Sequence, residues 1–273
     1  MSTLYISDLD GTLLNKDARL SKRSAEIING LIKKGMLFTV ATARSLSCVK
    51  ILEELSLKLP CVQLNGVLIY DFAKGAYIDC TPIRTQSARE VLRILRKYDR
   101  TSFVYKVDDE YGIHVEFEKL RNEPERNFFE ARRNSDYKSF SRTDNIQIKE
   151  SDKVIYFTMV DTYARLSPIY REIEMTDAVR STLYSDNYSD LYYLEIFSSE
   201  ASKAGGMLKI KEMLKADRTV AFGDNLNDLD MLKNADTAVA VADAREKVKA
   251  AADVVIGSSY EDGVAEFLLK EMP

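Results

Sequence analysis

The feature that most constrains the fold is an alternation of strands and helices that breaks off and later resumes. Apolar runs at Leu4 to Ser7, Met36 to Ala41 and Cys61 to Leu64 are separated by helical patterns around Ser24 to Lys34 and Ser47 to Leu55. Such alternation predicts a parallel sheet with helices on its faces. From about residue 83 the style changes. A helix carrying Ala88, Val91, Leu92 and Leu95 precedes the alternating strands Phe103-Tyr105-Val107 and Ile113-Val115-Phe117, joined by the turn Asp108 to Gly112. The pattern repeats with a strand Val154 to Val160, a helix with Leu166, Ile169, Tyr170 and Ile173, and two strands flanking Ser185 to Asp190. Residues 121–150 are polar, without a clean period, and read as a short helix plus a loop. From Ser198 the first style returns: strand Thr219 to Phe222, helix 226–233, strand Thr237 to Val241, helix 244–251, strand Asp253 to Ile256 and a last helix from Asp262. The expected architecture is α/β: a Rossmann-like, doubly wound parallel-sheet core in two parts, 1–82 and 198–273, interrupted by an α+β domain at 83–197.

Composition narrows the class. With 273 residues, 45% hydrophobic and 30% charged, the chain can bury a sizeable core. A net charge of −4 without a Lys/Arg stripe gives no footprint for nucleic acid. No apolar run approaches the roughly 18 residues expected of a membrane span, and the first residues enter a strand at once instead of a signal core. Cys48, Cys61 and Cys80 are odd in number and lack CxxC spacing, which fits packing residues in a reducing compartment. The expectation is a cytoplasmic protein with no nucleic-acid or membrane partner. The single histidine, His114, argues against Ser-His-Asp and histidine-rich zinc chemistry, and the alternation of Ile113, Val115 and Phe117 turns it away from the buried face. No Gly-Lys-Ser/Thr loop occurs.

The chemistry concentrates where strands end. Asp8 and Asp10 leave the last pleat of the first strand together, and Gly11 lets the backbone turn sharply after them. Two carboxylates this close raise each other's pKa unless a cation intervenes, and a hard ion such as Mg²⁺ would resolve the conflict. Taken alone, the pair reads equally well as an acidic turn. A second acidic group, Gly223-Asp224-Asn225-Leu226-Asn227-Asp228, follows another apolar run, and Thr42-Ala43-Arg44-Ser45 follows a third. In an open α/β sheet ligands bind outside the carboxyl ends of the strands, so these segments are expected to converge. Lys203, Met207, Ile210 and Leu214 fall on one helical face, which places an inward-pointing cation at a helix N-terminus, against the dipole. A fixed anion is expected to face it, the alternative being a lysine that runs past the end of the core to solvent.

Asp8-Leu9-Asp10-Gly11-Thr12-Leu13-Leu14, Ala41-Thr42-Ala43-Arg44, Asn65-Gly66, Ser202-Lys203 and Gly223-Asp224 with Asn227-Asp228 occur in the order found in one known family. The chain resembles the haloacid dehalogenase (HAD) superfamily, and within it the Cof-like sugar-phosphatase group with a large type IIB α/β cap. It departs from the family at Ala43 and Ala204, where Gly is usual, and at Asp243, where Asn is usual.

The resemblance implies hydrolysis of a phosphate monoester through an aspartyl phosphate. Asp8 would be the nucleophile and Asp10 the general acid and base. Mg²⁺ would be held by Asp8, Asp10 through its carbonyl, Asp224 and Asp228, directly or one step removed. Thr42, Lys203 and Asn227 would donate to the phosphoryl oxygens, with Arg44, Asn65 and Gly66 at the mouth. The substrate would be a small phosphorylated metabolite, a sugar phosphate or cofactor monophosphate, with specificity in the cap, where Tyr105, Lys106, His114, Arg132, Arg133 and Tyr137 offer polar contacts. A phosphomutase on the same fold and a non-catalytic binding or regulatory relative remain as alternatives.

Overall fold

The computed structural model of the protein describes residues 1–15, 17–45, 52–135, 137–186 and 189–271. These form two compact units, one of residues 1–79 with 201–273 and one of residues 80–200. The first opens with β1 (Thr3–Ser7), α1 (Lys22–Lys33), β2 (Leu37–Val40), β3 (Pro60–Gln63), β4 (Leu68–Asp71) and β5 (Ala76–Cys80). The second holds α2 (Thr85–Lys97), β6 (Phe103–Val107), β7 (Ile113–Phe117), α3 (Glu123–Glu130), β8 (Ser139–Arg142), β9 (Lys153–Asp161), α4 (Tyr163–Ile173), β10 (Val179–Ser185) and β11 (Tyr192–Ser198). The first then resumes with α5 (Lys203–Leu214), β12 (Arg218–Gly223), α6 (Leu229–Asn234), β13 (Thr237–Val241), α7 (Glu246–Lys249), β14 (Val254–Ile256) and α8 (Gly263–Glu271).

The core sheet runs β14-β13-β12-β1-β2, and every pairing in it is parallel. β1 is central: Leu4 and Ile6 are fully buried, and the strand pairs with β2 on one side and β12 on the other. A strand sheltered on both faces needs a continuous apolar run, which is what its sequence supplies. α1 starts where the Ser21 side chain accepts the Ser24 N–H, buries Ala25, Ile28 and Leu31, and packs against α8.

β3 departs from expectation. It does not extend the parallel sheet as a ladder strand but lies antiparallel to β4 in a separate sheet, β3-β4-β5, keeping one parallel bridge, Ala41 to Val62. The helix expected over Ser47 to Leu55, with Cys48, falls mostly outside the described residues. The helix expected at 226–233 opens as a 3-10 turn, Leu226–Asp228, before α6.

In the second unit a six-stranded sheet runs β10-β11-β9-β6-β7-β8. Its Val104, Phe157, Met159, Leu194 and Ile196 pack with Val91, Leu95, Leu166 and Ile169 of α2 and α4. The polar stretch 121–150 supplies α3 and also β8, an edge strand parallel to β7. The two ends of this unit meet, since the Arg84 guanidinium pairs with the Glu200 carboxylate.

Candidate active site

The site is built where β1, β2 and β12 end. The Asp8 N–H continues the ladder by donating to the Phe222 carbonyl at 3.0 Å, so the end of β1 lies against β12 just before Gly223 and Asp224. Gly11 follows with φ +83°, and a Cβ there would meet Asp224 Oδ2 at 2.6 Å, so a side chain is excluded by both backbone and neighbour. The Thr12 hydroxyl donates to Asp224 Oδ1 at 2.9 Å. Thr12 fixes the carboxylate of a segment more than two hundred residues away, a role the sequence reading missed; its one signal was its place in the Asp-Gly-Thr turn after a strand.

Asp228 is fully buried at the first turn after β12. Its Oδ2 accepts the N–H groups of Asp224 and Asn225 at 3.1 and 3.0 Å, which ties the 223–228 loop. Its Oδ1 receives Lys203 Nζ at 2.6 Å, and the same Nζ also bonds Asp8 Oδ1 at 2.5 Å. Lys203 is 2% exposed at the first residue of α5, whose N-cap Ser202 accepts the Gly205 N–H. The anions it faces are the chain's own. Burial works against its charge, but Asp8 and Asp228 overcome this and hold its pKa above the usual lysine value. Burial pushes Asp8 up to about 8; Lys203 opposes the shift, and Asp228 and Asp224 add to it. Asp224 is raised as well, first by burial, with its hydrogen bonds to Thr12 and Asp8 working the other way.

Ligand oxygens of Asp8, Asp224 and Asp228 all lie within 4.8 Å of one another. Three carboxylates around one ammonium leave an excess of negative charge, and the donors are all hard oxygens. That set fits a hard divalent cation, and a soft-metal site is excluded by the absence of sulfur and imidazole from it. The Asp10 side chain is not one of the three. It is partly exposed and takes a bidentate pair from Arg44, with Nε at 2.7 Å and Nη2 at 2.5 Å.

Arg44 reaches Asp10 because its loop is fastened to the β3 segment. The Thr42 N–H donates to the Val62 carbonyl at 2.9 Å, the Asn65 N–H to the Thr42 carbonyl at 3.0 Å, and the Leu64 N–H to the Arg44 carbonyl at 3.1 Å. The buried Thr42 hydroxyl oxygen accepts the Arg44 N–H at 3.0 Å. Asn227 Nδ2 donates to Asn65 Oδ1 at 3.2 Å, which joins two candidate residues across the sequence. Gly66 sits differently. With φ +97° it is pressed on the backbone of Ser202, where a Cβ would come within 2.1 Å of the carbonyl oxygen. Asp243 lies outside the group and accepts the N–H and hydroxyl of Ser259.

Known proteins resemble the chain over its whole length. The haloacid dehalogenase-like hydrolase family matches residues 5–268. A 5-amino-6-(5-phospho-D-ribitylamino)uracil phosphatase of Bacillus subtilis is 26% identical over 281 residues, 97% of this chain and 96% of the relative. A pyridoxal phosphate phosphatase of Escherichia coli is 24% identical over the whole length of both. Among solved structures, a Thermotoga maritima protein superposes with a TM-score of 0.76 at 24% identity, covering 100% of this chain and 98% of the other. A haloacid dehalogenase-like hydrolase of Bacteroides thetaiotaomicron gives 0.74 at 22% identity, covering both chains fully. With motifs, fold and full-length relatives in agreement, the chain belongs to the haloacid dehalogenase superfamily and is an enzyme, a hydrolase of the phosphatase type.

Proposed function

We propose that the protein hydrolyses small phosphate monoesters through a phosphoryl group carried on Asp8, with Mg²⁺ as cofactor. The observation that carries this reading is the Lys203 ammonium, buried and bonded to both Asp8 and Asp228, with Asp224 in the same group. Asp8 and Asp224 would hold the ion with the Asp10 carbonyl. Asp228, whose two oxygens already bond Lys203 and two backbone amides, is suited to orienting the group. The ion supplies neutralisation of the charge on the transferring phosphoryl oxygens.

The remaining work falls to side chains. An Asp8 carboxylate oxygen attacks phosphorus, the bond from phosphorus to the ester oxygen breaks, and the departing alkoxide takes a proton from Asp10. Asp10 then removes a proton from water, which attacks the phosphorus of the acyl phosphate and releases inorganic phosphate with Asp8 restored. Lys203 has three N–H donors, of which two are engaged, so one remains for a phosphoryl oxygen alongside the Thr42 hydroxyl and Asn227. Both oxygens of Asp10 accept from Arg44 in this conformation, so the pair must part before Asp10 can give its proton to the leaving oxygen. The named activities of the two relatives above, both on phosphorylated heterocyclic metabolites, support a cofactor-type monophosphate as substrate, with a sugar phosphate as the other member of the class.

The test is turnover of 4-nitrophenyl phosphate. Activity should require Mg²⁺, vanish with chelator, and fall by at least about 10³-fold in Asp8→Asn, which keeps the shape and removes the attacking charge. Undiminished turnover in that variant would overturn the assignment of the nucleophile.

A further inference from the structure

A single histidine is a poor start for serine chemistry, yet His114 lies between a serine and an aspartate. β7 and β8 run parallel with His114 aligned on Ser139, so the two side chains stand on one face of the sheet. His114 Nδ1 is 2.7 Å from Ser139 Oγ, and its Nε2 is 2.7 Å from Asp108 Oδ2. All three residues belong to the inserted unit, and all three are exposed, within reach of a ligand from solvent.

The aspartate is fixed by its own turn. Its Oδ1 accepts the N–H groups of Glu110 and Gly112 at 2.9 and 2.7 Å, which closes the turn between β6 and β7 and leaves Oδ2 for the imidazole. Gly112 makes the room, since a Cβ there would stand 2.6 Å from that oxygen. The hydrogen bond from His114 holds the Asp108 carboxyl below the usual carboxylate range, so the group is an anion at neutral pH and can only accept. Nε2 therefore carries the proton of the neutral ring, and Nδ1 presents its lone pair to the Ser139 hydroxyl. Nearby cations do not compete for Asp108. Lys106, opposite His114 on β6, is taken by Glu116, Asp152 and the Gln147 carbonyl, and Lys153 pairs with Asp109.

We propose that Ser139, His114 and Asp108 form a second reactive centre, in which Ser139 is a nucleophile toward activated carboxylic esters. Ser139 Oγ bonds to the carbonyl carbon while its proton passes to His114 Nδ1; the bond from that carbon to the leaving oxygen breaks, and the leaving group takes the proton. Water then gives a proton to Nδ1 and adds to the acyl carbon. The bond to Oγ breaks, Ser139 recovers its proton from the imidazolium, and the carboxylic acid departs. Asp108 is a positioning residue that holds the tautomer and stabilises the imidazolium. General-base assistance of this kind is worth about 10²- to 10⁴-fold, so esters with good leaving groups are the class the centre suits. The inference does not rest on the phosphoryl chemistry assigned to Asp8.

The experiment uses the full chain without a histidine tag and two probes: 4-nitrophenyl acetate, and a fluorophosphonate, which transfers to activated serine hydroxyls. Peptide mass spectrometry should find the phosphonate on Ser139 in wild type and equally in Asp8→Asn. Hydrolysis of the acetate should fall by about 10²-fold in Ser139→Ala, His114→Gln and Asp108→Asn, with an unchanged thermal transition by circular dichroism as the check on folding. The imidazole supplies a readout that needs no variant. It is the only one in the chain, and its nitrogen NMR spectrum at mildly alkaline pH should place the proton on Nε2. Asp108→Asn, whose amide oxygen can keep the two backbone bonds while its NH₂ turns to Nε2, should move that proton to Nδ1 and silence Ser139, a change that a merely structural aspartate would not produce. No adduct on Ser139 in wild type, acetate hydrolysis unchanged in Ser139→Ala, or a wild-type proton on Nδ1 each overturns the proposal.

Discussion

At the residue scale the balance of charge around Asp8 decides how the site takes up a cation. The folded state holds the Asp8 proton more tightly than the unfolded chain does, because its pKa rises from the model-peptide 3.8 to about 8 through burial, with Asp228 and Asp224 adding to the effect. Between these two values the folded, metal-free protein retains a proton that the unfolded chain has lost, so this group's contribution to stability falls as pH rises through the window. A divalent cation must displace that proton. Titrating MgCl₂ near pH 7 in two buffers of different ionisation enthalpy should therefore show release of up to about one proton per ion, and apparent affinity should climb with pH until about 8. No buffer dependence would mean that Asp8 is already ionised before the ion arrives. Asp8, Lys203, Asp224 and Asp228 could be brought together from sequence because each sits at a strand end or a helix start with a definite direction. The Arg44 clamp on Asp10 and the Thr12 bond to Asp224 could not, since both depend on how loops fold back, and loops carry no period.

At the element scale the start of α5 is set by a glycine on another segment. Gly66 touches the Ser202 backbone, and Ser202 is the cap directly before Lys203. Gly66→Ala would bring a methyl group to 2.1 Å from the Ser202 carbonyl oxygen and place a side chain at φ +97°. The Ser202 oxygen cannot yield cheaply, because it is backbone, as are the next nearest atoms, Ser202 C and N. Denaturant unfolding should show a loss of about 2 kcal/mol or more, and Lys203 should shift enough to lower kcat on 4-nitrophenyl phosphate. A stability and kcat equal to wild type would show that the segment gives way. The half-buried strands of the insert were legible because apolar residues alternate along them. β3 was misplaced because all four of its residues are buried, Gln63 included, and a strand buried on both faces does not say whether its partner is parallel or antiparallel. β8 was missed for the opposite reason: it is a largely exposed edge strand, Ser139–Arg142, with no apolar face to reveal it.

At the scale of the whole molecule the insert has a core of its own. Its sheet and helices enclose Ile83, Val91, Leu95, Phe157, Leu166, Ile169 and Leu194, all contributed from within residues 80–200. Expressed alone, that segment should give a cooperative thermal transition by circular dichroism; a broad, non-cooperative melt would show that its packing depends on the remainder of the chain. The pairing of β1 with β12, which aligns Thr3 with Arg218, has a consequence for how the molecule comes into being. Those strands cannot meet until everything between them has been synthesised and drawn together. Closing a flexible loop the length of the insert costs about 2 kcal/mol more than closing one of roughly ten residues, a difference that a folded insert removes if its ends are already side by side. The Arg84–Glu200 pair puts them there. Folding of the insert would then come first and act as a clasp, so the nascent chain carries Asp8 without Lys203, and is inert, until the clasp has closed.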